Sequence, residues 1–94
     1  MNYNFEWDSD KAKLNFKKHR LGFEVAATVF KDPQALSVFD AEHSEDEERW
    51  ITMGIASSGN LIVVVHTHKE ENENSVKIRI ISARKATKNE TKQY

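Results

Sequence analysis

Arg49, Arg79 and Arg84 stand on or beside segments that read as neighbouring strands, and a planar guanidinium can grip two phosphate oxygens at once. Glu48, His66 and Tyr94 add a carboxylate, an imidazole and a phenol, so a base, an acid and a hydroxyl are all available. Those residue types point to chemistry at a phosphodiester. RNA carries its own nucleophile, the 2′-hydroxyl. A protein acting on it needs only proton transfer and cations for the charge that builds on the phosphorus oxygens. No Gly-rich phosphate loop or serine nucleophile elbow is present, which argues against nucleotide hydrolysis and acyl transfer.

The histidines divide by position. His66 shares a strand face with Ile62 and Val64, where it can either move protons near neutral pH or sit as a hydrogen-bonded strand-end histidine. His19 lies on the apolar stripe of a helix and reads first as a packed core residue. His43 and His68 stand in or beside loops without a distinguishing pattern. His66-Thr67-His68 sets two imidazoles on one face, but no carboxylates at ligand spacing complete a metal site. The acidic loop lacks the glycine of a calcium loop. No cysteine exists to act as thiolate or disulfide. No metal or other cofactor is expected.

These residues need elements to position them. Asn4-Phe5-Glu6-Trp7 alternates and reads as an edge strand. Asp8 then has the character of an N-cap for a helix over Ser9 to Arg20, with Ala12, Asn15, Phe16 and His19 at helical spacing. Gly22 breaks the run, and Phe23, Ala26, Ala27 and Phe30 mark a second helix that Asp32-Pro33 ends. The period then changes to two. Strands are expected over Ala35 to Phe39, Arg49 to Ala56, Leu61 to His68 and from Val76, with Ser57-Ser58-Gly59-Asn60 as a hairpin turn and Lys69 to Ser75 as a charged loop. Leu61 to Val65 is apolar on both faces and marks the sheet's centre. In the last strand Val76, Ile78 and Ile80 face a core while Lys77 and Arg79 face away. Thr87 and Glu90 have capping-box spacing, so a short helix closes the chain from Lys88 to Tyr94. Helices covering one face of a mainly antiparallel sheet of four or five strands make an α+β fold.

With 94 residues, 38% of them hydrophobic and 31% charged, the expectation is one soluble domain over 1–94. No apolar run reaches the roughly 20 residues of a membrane span and no secretory h-region is seen, so the expected address is the cytoplasm, with no membrane partner. Net charge is -1, yet the charges are segregated. Asp40 to Glu48 holds carboxylates and no lysine or arginine, whereas Lys77 to Lys92 is basic but for Glu90.

The chain resembles the BrnT-type toxins of bacterial type II toxin–antitoxin systems. The likeness is carried in its first half by Phe5-Glu6-Trp7-Asp8, Lys11, Asn15, Lys18-His19, Phe23-Glu24, Val29-Phe30 and Asp32-Pro33. In the second half it lies in Glu48-Arg49-Trp50, Gly54, Leu61 to Thr67, Ile78 to Thr87, Glu90 and Tyr94. The resemblance implies a RelE-like fold and a small metal-independent ribonuclease that arrests growth. It also implies a BrnA-type antitoxin with a ribbon-helix-helix DNA-binding part, so that DNA is met only through the complex. Two departures fall at the helix junction, where Arg20 follows Lys18-His19 in place of the usual glycine and Gly22 precedes Phe23 in place of serine. The acidic stretch Lys69 to Ser75 stands where a shorter, more basic turn is usual.

On this reading Arg79 and Arg84 stabilise the scissile phosphate with help from Arg49. Glu48 or His66 takes the 2′-hydroxyl proton, and His19 or Tyr94 protonates or positions the leaving oxygen. Lys18, Lys77, Lys85 and Lys88 contact the RNA backbone. A different class of function makes fewer demands: a non-catalytic α+β module, or an inactive toxin homologue, holding an acidic partner at its C-terminal basic edge.

Overall fold

In the computed structural model, which describes residues 2–94, the chain begins with β1 (Asn2–Glu6), α1 (Ser9–His19) and α2 (Phe23–Ala27). It continues through β2 (Leu36–Phe39), β3 (Arg49–Ile55), β4 (Leu61–Thr67), β5 (Lys69–Asn72) and β6 (Ser75–Lys85) to α3 (Lys88–Thr91). The sheet order is β1-β6-β4-β3-β2, with β5 also on β6. β1 runs parallel to β6 and the other pairs are antiparallel. The class is α+β. The described residues make six strands, where four or five were expected. The additional one is β5, inside the stretch read as a loop: all four of its residues are exposed, so backbone pairing with β6 forms it and no burial pattern announces it.

Local chemistry explains the helices. The Asp8 carboxylate accepts from the Asp10 and Lys11 N–H groups at 2.8 and 3.1 Å and starts α1. Arg20 ends it in the left-handed region at φ 58°, its N–H donating to the Phe16 carbonyl at 2.8 Å. The second helix is shorter than its spacing predicts. It tightens into a 3-10 helix over Thr28–Lys31 before Asp32 turns extended ahead of Pro33.

Phe23, Ala26 and Val29 pack with Ile62, Val64, Val76, Ile78, Ile80 and Ala83 to form the core on one face of the sheet. Beyond the end of β1 the edge of β6 is capped by a side chain. The Asn15 amide donates to the Ala83 carbonyl at 2.9 Å and accepts from the Ala83 N–H at 3.1 Å, as a strand would. The other face carries Leu36, Val38 and Ile55, which stay substantially exposed.

The strand β6 has a bulge. Val65 pairs with Ser82 but His66 with Ile80, so Ile81 is extra. The bulge changes parity, which is why Ile80 and Ala83 are both core residues although three apart. It also brings Arg84, opposite Val63, to the same outer face as Arg79, which alternates with the core residues Ile78 and Ile80.

Candidate active site

The functional geometry starts where β3 and β4 meet the acidic loop. The Ser44 hydroxyl accepts from the Arg49 N–H at 2.9 Å, and the Asp40 N–H donates to the Arg49 carbonyl at 2.8 Å. The His68 N–H reaches the Glu48 carbonyl at 3.3 Å, extending the β3–β4 ladder by one pair. These bonds hold Asp46, Glu47 and Glu48 over the end of the sheet, where a cleft of about 930 Å3 opens. Arg79 and Lys77 line it from β6, Thr67 from the end of β4 with His68 just past it, and Trp50 from β3. The Arg79 N–H donates to the Thr67 hydroxyl at 3.2 Å, and its guanidinium is ion-paired with Glu47. Five carboxylates line the cleft against three cations, and an anion drawn to Arg79 there has to compete with Glu47 for it.

Of the sequence-expected residues, Glu48, Arg79 and Lys77 are thus brought together. Arg49 stands opposite Thr67 at the same end, half-buried, its Nε without a partner among the described residues. His66 is 2% exposed and both ring nitrogens are engaged, Nε2 with the Thr52 hydroxyl at 2.6 Å and Nδ1 with the Thr67 carbonyl at 3.0 Å. Burial, only partly opposed by the Thr67 carbonyl, holds its pKa below the ordinary imidazole value.

The remaining candidates lie elsewhere. Arg84 is five residues from Arg79 along β6, roughly 16 Å of extended chain. There it forks onto Glu90 at 2.7 and 2.9 Å. That pairing, with the Thr87 N–H, depresses the Glu90 carboxyl to about 2, and it raises Arg84. Thr87 and Glu90 complete a capping box for α3, as their spacing predicts. Lys85 and Lys88 are exposed at this end. Tyr94 donates its hydroxyl to Asp32, which also accepts from the Ile55 and Gln34 N–H groups. The Tyr94 contact first, and the two backbone bonds after it, lower the Asp32 carboxyl, while Asp32 raises the Tyr94 phenol. Lys18 and His19, in the last turn of α1, flank Ile81 and Ser82 near the middle of β6.

Among the cleft residues that sequence reasoning passed over are His68, Trp50 and Glu47. His68 had a usable signal, since it continues the parity of His66 past the apolar core. What brings it to Glu48 is the strand register, which no local pattern encodes. Among the described residues no group of three or more histidine, aspartate or glutamate side chains is arranged to hold a metal ion, and no helix is long and apolar enough to cross a membrane.

Comparison with known families gives a match over residues 7–90, nearly the whole chain, to the family described as ribonuclease toxin, BrnT, of type II toxin-antitoxin system. Comparison with curated proteins finds no match.

Proposed function

The chain belongs to the BrnT family of ribonuclease toxins of type II toxin–antitoxin systems, and from that premise we propose that the Arg79 cleft is where RNA is cut. The carrying observation is the convergence of Arg79, Lys77, Glu48 and His68 on one open cavity. RNA enters by taking Arg79 from Glu47. Glu48 then removes the 2′-hydroxyl proton, and the 2′-oxygen bonds to phosphorus. Arg79, with Lys77, stabilises the charge on the non-bridging oxygens. His68 gives a proton to the departing 5′-oxygen as the P–O5′ bond breaks. The products are a 2′,3′-cyclic phosphate and a 5′-hydroxyl. Since the nucleophile belongs to the substrate, the reaction runs without a metal ion.

Glu48 is preferred to His66 as base because both His66 nitrogens are occupied in the core. His68 takes the donor role for which His19 and Tyr94 were candidates, because they lie away from the cleft. Arg49 supports the cleft from the end of β3, and Arg84 organises the far end with Glu90. Lys18, Lys85 and Lys88 guide the RNA backbone. The wider reading is a RelE-like, cytoplasmic toxin that arrests growth and is neutralised by a BrnA-type ribbon-helix-helix antitoxin, through which alone it meets DNA.

The test is cleavage of labelled total RNA in EDTA by the protein and by Arg79→Ala, with circular dichroism to check folding. Wild-type cleavage leaving 5′-hydroxyl ends, reduced about 100-fold or more by the substitution, is expected. Full activity in a folded Arg79→Ala protein overturns the assignment. The Glu47–Arg79 ion pair gives the non-catalytic reading its one support; RNA bound without any cleavage product would favour that reading.

A further inference from the structure

A second cavity, of about 320 Å3, lies on the helix-covered side of the sheet. Tyr3, Phe30, Trp50, His66 and His68 supply its walls, and Ile78 and Ser37 complete it. None of these residues is acidic, lysine or arginine, in contrast to the charged cleft next to it. Trp50 and His68 line both cavities. A charged site and an uncharged aromatic one therefore share a wall. That pairing matches the two halves of a nucleotide, an anionic phosphate and a planar base. The volume sits at the lower end of ligand pockets, suited to one ring system.

The rings stand at angles to one another. Phe30 is 5.8 Å from Tyr3 and meets His66 edge-on at 4.8 Å, while His68 is 6.3 Å from Trp50. The indole N–H of Trp50 has no partner among the described residues, so no hydrogen bond pins that ring. The polar groups carry a direction. The Thr67 carbonyl can only accept, so His66 Nδ1 carries the proton and the neutral ring accepts at Nε2 from the Thr52 hydroxyl. Thr52 has then spent its proton, and its oxygen accepts from the Ser37 hydroxyl at 2.8 Å. Ser37, which is exposed, is left with lone pairs only and presents an acceptor.

We propose that this cavity binds one nucleobase of the RNA whose phosphate occupies the Arg79 cleft, stacking it on the aromatic walls and reading an N–H of its edge through Ser37. The inference rests on the ribonuclease reading and adds sequence preference to it. Stacking supplies affinity for any base, and the one-way relay from His66 to Ser37 discriminates among edges.

Trp50 fluorescence in the Trp7→Phe protein tests this with the four nucleoside 3′-monophosphates. Ribose 5-phosphate and inorganic phosphate serve as base-free controls. The expected result is saturable quenching that requires a base. Tyr3→Ala raises the half-saturating concentration about tenfold, and Ser37→Ala changes the rank order of the four nucleotides. No quenching by any nucleotide, as when the cavity instead receives a partner's side chain, overturns the proposal. Equal quenching by ribose 5-phosphate, or responses unchanged by both substitutions, overturns it too. RNA cleavage assayed alongside separates the two readings. Cleavage without base-dependent quenching removes the pocket alone. Base-dependent quenching without cleavage upholds the pocket and removes the ribonuclease.

Discussion

His66 is held as a neutral ring by burial, which outweighs the hydrogen bond to the Thr67 carbonyl that favours the protonated form. The consequence is a pH dependence of stability. Its folded pKa lies below the 6.5 of a free imidazole, so between those values the unfolded chain binds a proton that the native ring does not. Stability is therefore full above about pH 6.5 and is lost as pH falls toward the folded value, at no more than about 1.4 kcal/mol per pH unit. Urea midpoints at pH 7.5 and 5.5 should differ more for the wild type than for His66→Gln; equal differences would assign the titration to another group. The same histidine marks how far the sequence is legible at this scale. Its placement on a core-facing strand was readable from Ile62 and Val64. Its choice between proton transfer and satisfied burial was not, because Thr52 reaches it only through the pairing of β3 with β4.

Elements were legible where their determinants are local. Asp8 as N-cap, the Thr87–Glu90 capping box and the alternation of Val76, Ile78 and Ile80 each lie within a few residues of what they specify, and each is found in the fold. β5 and the bulge at Ile81 were not legible, since both depend on the partner strand. Arg20 shows local chemistry being overruled. The junction between α1 and the loop takes the left-handed conformation although no glycine is there. A side chain in that region costs about 1–2 kcal/mol, and glycine avoids the clash at some entropic cost of its own. Arg20→Gly is thus expected to stabilise by about 1 kcal/mol, raising Tm by roughly 4–8 °C for a chain this size. A lower Tm would mean that the guanidinium, 6.0 Å from the Phe16 ring centroid, contributes more than the backbone loses.

At the scale of the molecule, the basic run that looks like one edge in the sequence is two sites. β6 holds 11 residues, roughly 33 Å from first to last at about 3.3 Å per step, close to the longest dimension of the protein, 35 Å. Its cations are therefore carried to opposite ends. Lys77 and Arg79 meet the acidic loop, while Lys85 and Lys88 stand beyond Arg84, whose charge Glu90 occupies. Closeness in sequence along a strand is distance in space, and only the fold separates the two groups. An RNA short enough to fill the Arg79 cleft cannot reach Lys85 and Lys88, whereas a strand of about 20 nucleotides can. For single strands the slope of log affinity against log salt is about −0.7 per phosphate neutralised. With 2′-O-methyl RNA, which lacks the attacking hydroxyl, replacing Lys85 and Lys88 by alanine should flatten the slope of the long strand by about 1.4 and leave that of a tetranucleotide unchanged. Equal slopes for the long strand in the two proteins would confine RNA to the Arg79 end. In that case the far cations serve the fold or the antitoxin, and the track of the substrate has to leave the sheet across β3 instead of following β6.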